Sequence, residues 1–493
     1  MQRKRRKKRG NPLLTRKINS KMRMKLVWLF GMVVLAFVGL GIRITVINAS
    51  QGNQYSKQVL SQSQQKYDSR VIPFKRGDIT DRNGVVLATS EKVYKVILDC
   101  KVVNTKEEYV EPTIKALVDV MGLDEETVRK KLEDETTKDS QYQILQSNVS
   151  INQKKAFEDY TDVSGEEAKE KLTKEEIAER SNIKGVWFEE DYRRVYPLNS
   201  TASHLVGFTY TGNSADWGIE GYYSSTLNGV NGRQFGYYNS DADVEQNIID
   251  PINGNSVEST IDLNIQQVVE KYISNFMDGM ANGPRGAEGA ANVGVIVANP
   301  KNGEILAMAT DNPYDLNNPR DLTSHYSQDE INGMDNDTML EKLYGIWKNY
   351  CISDAFEPGS TVKPLTIGAA LDADVVQPSD TFVCDGYQMF GGTRIRCSIY
   401  PGAHGTETLS DLIKHSCNDG LMQIGALLGP EEFLKYQKIF NFGATTGIDL
   451  PGEATGILHT EESLSSGSTE LASASFGQGY TCTMIQEIAA ICS

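Results

Sequence analysis

No acidic residue occurs in the first 25 positions, and the 493-residue chain holds only seven cysteines, none of them in a C-x-x-C pair. Seven thiols, at 100, 351, 384, 397, 417, 482 and 492, are too few for a disulfide scaffold. Cys384 and Cys397 bracket a glycine-rich, hairpin-like segment and are read as either bridged or reduced. A zinc site joining them to His404 is a third reading, but the spacing matches no standard ligand pattern, so no metal is expected. Internal repeats and low-complexity tracts are absent beyond the basic start. The twelve Lys and Arg of 1–25 leave 38 basic against 65 acidic residues in the remainder. That acidic body excludes a nucleic-acid reading of the basic start. Hydrophobic content of 39 % and charge of 23 % describe globular protein, and the length calls for two or three domains.

Residues 26–42 carry no charge and span roughly 26 Å as a helix, nearly a bilayer core. Arg43 can snorkel, and the run continues apolar through Ile47. The expectation is one membrane-spanning helix at 26–47, with 1–25 as a basic cytoplasmic tail and the bulk outside. A cleaved signal peptide is the alternative, with Ile47-Asn48-Ala49-Ser50 as its cleavage region. Residues 51–67 read as a polar helical stalk. Asn83-Gly84 between apolar runs signals a hairpin within 76–88, with Asp81 and Arg82 as a solvated or locally paired charge couple. The Lys- and Glu-rich stretch 105–181, including 166–177, reads as amphipathic helices inserted in a domain spanning 48–250. Segments 186–188, 194–197, 204–208 and 218–223 read as strand-like, and His204 as a packed residue.

A linker at 250–255 opens the last domain, 251–493. Thr260-Ile261-Asp262 caps a helix over 263–276, segments 290–298 and 304–309 form a hairpin, and 312–336 reads as loop. Helices are expected at 366–371, 408–414 and 421–428. Pro358 and Gly359 end a loop before Ser360-Thr361-Val362-Lys363. Serine and lysine three apart share a helix face, so the Lys363 amine can take the Ser360 proton. The unpaired N–H groups of a helix start can stabilise an oxyanion. An N-cap serine beside a solvated lysine is the plainer alternative. Ser416-Cys417-Asn418 supplies a second hydroxyl and an amide on a turn between helices.

On these motifs the chain resembles the class B penicillin-binding proteins. Residues 76–88, Thr260-Ile261-Asp262 with Gln266, 303–308, 357–364, Ser416 to Asn418, and Phe476-Gly477-Gln478-Gly479 look like that family's landmarks in order. The resemblance implies a multidomain α+β chain: membrane helix, mixed pedestal (dimerisation) domain with a helical insertion, and an α/β serine-acyltransferase domain. It implies peptidoglycan D,D-transpeptidation, with Ser360 as nucleophile, Lys363 as general base, Ser416 as proton shuttle and Asn418 as substrate-binding residue. No cofactor is implied. Expected partners are D-Ala-D-Ala stem peptides with their amine acceptors, β-lactams, the membrane, a membrane glycosyltransferase and divisome proteins. The sequence contains no Lys-Thr-Gly or Lys-Ser-Gly, the family's third box. The chain is therefore expected to be truncated, to lack C-terminal strands of that domain and to be inactive or nearly so. A non-catalytic divisome scaffold and a β-lactam sensor are the competing functions.

Overall fold

In the computed structural model, residues 20–64, 70–165, 170–210, 213–238, 244–281, 283, 290, 292–466 and 468–493 are described. Residues 1–19 of the basic tail and the start of the 166–177 helix lie outside them. The chain divides into two compact units, Met1–Arg70 with Arg233–Ile249, and Val71–Gly232 with Asp250–Ser493.

In the first unit, one helix, Ser20–Gln64, joins the apolar run and the polar stalk without a break. Its segment Ser20–Arg43 is long and apolar enough to cross a membrane. Strands Gly232–Tyr238 and Val244–Ile249 pair antiparallel.

In the second unit, the 13-residue strand Val86–Leu98 is the spine of a five-stranded sheet, flanked by Gln143–Val149 and Val186–Val195. Two sequence expectations change here. Strand Gln143–Val149 interrupts the helical stretch 105–181, because pairing with Val86–Leu98 supplies the backbone partners that its local sequence does not advertise. The piece 186–188 and the first two residues of 194–197 belong to one strand, Val186–Val195, which stays extended through acidic residues. Cross-strand pairs explain that continuity: Lys92 meets Glu190 at 2.6 Å and Lys95 meets Asp191 at 2.7 Å. Helices Glu107–Met121 and Ile151–Thr161 cover this sheet through Ile114, Leu117 and Phe157.

The stretches at 204–208 and 218–223 form short helices, Ser203–Val206 and Gly218–Tyr222, too brief to display a helical period. His204 is buried, with Nε2 2.8 Å from the Ile346 carbonyl and its ring edge-on to Tyr314. Asp81 is not solvated. It is 1 % exposed and accepts the N–H groups of Asn83, Val85 and Leu263 at 2.8, 2.8 and 3.3 Å. Burial pushes its pKa up, but those three N–H groups outweigh burial and hold it below the usual carboxylate value. Glu220, fully buried, is shared by Arg76 and Arg194, each at 2.6 Å. This triad locks 76–77 to the strand Val186–Val195, since Arg194 Nη1 also donates to the Gly77 carbonyl at 2.7 Å.

Asp262 caps the helix Leu263–Met280. Gln266, fully buried on it, brackets Met308, donating to its carbonyl at 3.0 Å and accepting its N–H at 2.9 Å. Met308 lies on the strand Ile305–Thr310, paired antiparallel with Gly294–Ala298. The expected loop 312–336 contains a helix, Gln328–Gly333, started by a Ser327–Glu330 capping box. A separate helical core packs Lys363–Asp372 against Asn418–Ile439 through Ile367, Ala370, Leu421, Met422 and Ile424, with Phe476 beside them. Its edge carries the polar groups of interest.

Candidate active site

Ser360 sits in a 3-10 turn, Gly359–Val362, that runs directly into the helix Lys363–Asp372. A second turn faces it. Ser416, at φ 53°, reverses the chain between helices Leu409–Lys414 and Asn418–Ile439, a conformation that costs a non-glycine residue about 1–3 kcal/mol. The strain is offset by what the turn presents. Lys363 Nζ donates to the Ser416 carbonyl at 2.7 Å, to Ser416 Oγ at 3.0 Å and to Asn418 Oδ1 at 2.7 Å. Ser416 Oγ in turn donates to Ser360 Oγ at 2.9 Å. Ser360 is exposed and Lys363 is only 1 % exposed, so the hydroxyl meets solvent while the amine behind it does not.

Burial pushes the Lys363 amine down to about 8, against the opposing influence of the Cys397 and Cys417 thiols. An amine so placed is neutral in about a tenth of molecules at pH 7, against a negligible share for an ordinary lysine. It can then accept a proton through Ser416 from Ser360. The spacing pairs Lys363 with Ser360, and the family resemblance adds Ser416 as a proton shuttle. The structure brings Ser360, Lys363, Ser416 and Asn418 into one cluster in which the Ser416 hydroxyl is the link.

Two supports were not visible as such in the sequence. The turn Gly477-Gln478-Gly479 braces the Ser360 turn: Gly359 N–H donates to the Gly477 carbonyl at 2.8 Å, and Gly479 N–H to Glu357 Oε1 at 2.8 Å. Asp419, fully buried, accepts from Asp385 N–H at 2.9 Å, Gln388 Nε2 at 2.6 Å and Gln423 Nε2 at 2.8 Å. It thereby fastens the helix that begins at Asn418 to the hairpin Tyr387–Phe390 and Thr393–Arg396. Its place immediately after the Ser-x-Asn box was the available signal. The bridge considered for Cys384 and Cys397 does not form; both are free and buried.

The family described as "Penicillin binding protein transpeptidase domain" matches residues 293–492, and the "Penicillin-binding Protein dimerisation domain" matches residues 71–259. The chain is 32 % identical over 486 residues to the stage V sporulation protein D of Bacillus subtilis, covering 96 % of this chain and 65 % of that protein. It is 25 % identical over 420 residues to the peptidoglycan D,D-transpeptidase FtsI of Buchnera aphidicola, covering 83 % of this chain and 63 % of the relative. The chain thus spans somewhat under two thirds of the length of these two relatives. The crystal structure of penicillin-binding protein 2X from Streptococcus thermophilus superposes with a TM-score of 0.62 at 22 % identity, covering 86 % of this chain and 59 % of that one. It is a likeness of fold.

Proposed function

The chain belongs to the class B penicillin-binding proteins, and on that premise we propose that it carries the acyl-transfer centre of a peptidoglycan D,D-transpeptidase. The observation that carries this reading is the connected chain Ser360–Ser416–Lys363, with an exposed hydroxyl at one end and a buried amine of lowered pKa at the other.

With Lys363 neutral, Ser416 O–H turns to donate to Nζ, and Ser360 O–H donates to Ser416 Oγ. Ser360 Oγ attacks the penultimate D-Ala carbonyl, its proton passing through Ser416 to Lys363. The oxyanion is stabilised by the N–H of Ser360 at the start of its turn. Collapse expels the terminal D-Ala as an amine, which takes the proton back by the same route. Asn418 holds the peptide backbone by its side-chain amide. In the second step an amine of a neighbouring stem gives a proton to the relay, attacks the ester and releases Ser360, leaving a cross-link. A β-lactam imitates the D-Ala-D-Ala end and leaves Ser360 acylated.

Because residues 1–493 contain no Lys-Thr-Gly, the oxyanion donor and carboxylate contacts of that box are not among them. Peptide turnover by these residues alone is therefore lower by on the order of 10²- to 10³-fold. The twelve basic residues before the apolar helix favour a cytoplasmic N-terminus with the domains outside. The partners in this reading are stem peptides and a membrane glycosyltransferase of the division or sporulation machinery.

The test is a covalent penicillin adduct, mapped by mass spectrometry. It is expected on Ser360 and absent in Ser360→Ala. An adduct that persists in that variant overturns the assignment of the nucleophile.

A further inference from the structure

Behind the Ser416 turn, Cys384, Cys397, Cys417 and His404 converge, with all four ligand-type atoms within 4.8 Å of one another. The three cysteines are 1 %, 3 % and 0 % exposed. They come from separate elements. Cys384 ends the strand Thr381–Cys384, and His404 precedes its partner strand Gly405–Thr408. Cys397 follows the strand Thr393–Arg396, and Cys417 caps the helix Asn418–Ile439.

We propose that these four residues bind a structural Zn²⁺ ion that fixes the Ser416–Asn418 turn. The spacing matches a tetrahedral Cys₃His site. Zn–S bonds of about 2.3 Å and Zn–N bonds of about 2.0 Å require S···S edges near 3.8 Å and S···N edges near 3.5 Å. Here Cys397 Sγ lies 3.9 Å from Cys417 Sγ, while His404 Nδ1 lies 3.5 Å from Cys384 Sγ and 3.8 Å from Cys397 Sγ. Glu407, 2 % exposed beside the cluster, pairs through Oε1 with His415 at 2.5 Å, and its Oε2 lies 3.7 Å from His404 Nδ1.

Four thiol and imidazole groups spread over residues 384–417 escape the usual spacing rules, since the hairpin and the helix cap, not a short loop, bring them together. Binding is balanced by release of the three thiol protons, giving a site of net charge −1. The fourth ligand gives the metal its consequence. Cys417 stands between Ser416 and Asn418, so a bond to its sulfur pins both residues that bond Lys363. The ion is a positioning device that acts through Cys417, and its presence is testable whatever reaction the centre performs.

The 493-residue chain, purified under reducing conditions without chelator, is expected to hold about one equivalent of Zn²⁺ by elemental mass spectrometry. Mercurial modification of the thiols should release it, and Co²⁺ replacement should give the visible bands of tetrahedral thiolate ligation. Cys384→Ser and His404→Ala should each lower retained zinc at least tenfold, while Cys351→Ser, a buried thiol outside the cluster, retains it. Hydrogen exchange in a peptide covering 414–420 should quicken when zinc is removed from the unaltered chain, a readout that needs no variant to fold. Three results each overturn the proposal: no zinc retained after incubation with excess Zn²⁺, unchanged zinc in both ligand variants, or a disulfide joining two of the three cysteines.

Discussion

The Gly359 N–H donates to the Gly477 carbonyl at 2.8 Å, and a Cβ added at Gly477 would lie 2.0 Å from the Gly359 carbonyl oxygen. The turn carrying Ser360 is therefore held by a backbone contact with no room for a side chain. Gly477 also has a φ of 92°, which other residues rarely adopt. Gly477→Ala is expected to push the 359–362 turn away from Ser416 and to slow penicillin acylation by about 10²-fold, as misplacement near 1 Å does. A stopped-flow acylation rate within threefold of the unaltered protein would show that the brace is dispensable.

Lys363→Met removes the buried amine but keeps its length. Under the proposed mechanism, acylation falls at least 10²-fold while the protein stays folded, since the desolvation cost removed with the amine works against the loss of its hydrogen bonds to the half-buried Ser416 and Asn418. Circular dichroism and labelled-penicillin kinetics on the same sample separate the two effects.

The proposed base works only when neutral. With the amine lowered to about 8 by burial, the acylation rate should climb about tenfold per pH unit below that value and level off above it. At pH 7 about a tenth of the plateau rate is expected. The groups bearing on Lys363 are Ser416 and Asn418, which it bonds, and the thiols of Cys397 and Cys417. A flat profile from pH 6 to 9 contradicts a lysine base.

His204 gives a pH dependence of stability unrelated to the reaction. Burial lowers its pKa to about 4 from an ordinary 6.5, outweighing the Ile346 carbonyl. The unfolded chain therefore binds the proton first. Stability from this residue is complete above pH 6.5 and is lost as pH falls toward 4, by about 3 kcal/mol in all. His204→Gln should flatten that part of a plot of melting temperature against pH.

Glu220→Gln leaves Arg76 and Arg194 buried without their counter-charge. Loss of one partner from a buried charge cluster costs about 3–5 kcal/mol. Urea unfolding should show that drop, and a change below 1 kcal/mol would mean that water replaces the carboxylate.

The amino-acid sequence by itself determined the apolar anchor, the Asp262 helix cap, the hairpin partners at 294–310 and the order of the polar boxes. Each depends on composition, periodicity or a fixed spacing, which act over a few residues. Tertiary structure decided the rest. Strand Gln143–Val149 exists because Val86–Leu98 lies alongside it, and Asp81 is buried because the helix start at Leu263 meets it. Ser360 and Lys363 were legible as a pair, yet their link through Ser416 depends on a left-handed residue 53 positions beyond the lysine. The Cys₃His cluster was legible only as Cys384, Cys397 and His404, with no spacing rule to join them. Cys417 completes it because the fold of the hairpin against the helix cap, which no local pattern encodes, carries four distant side chains to one point.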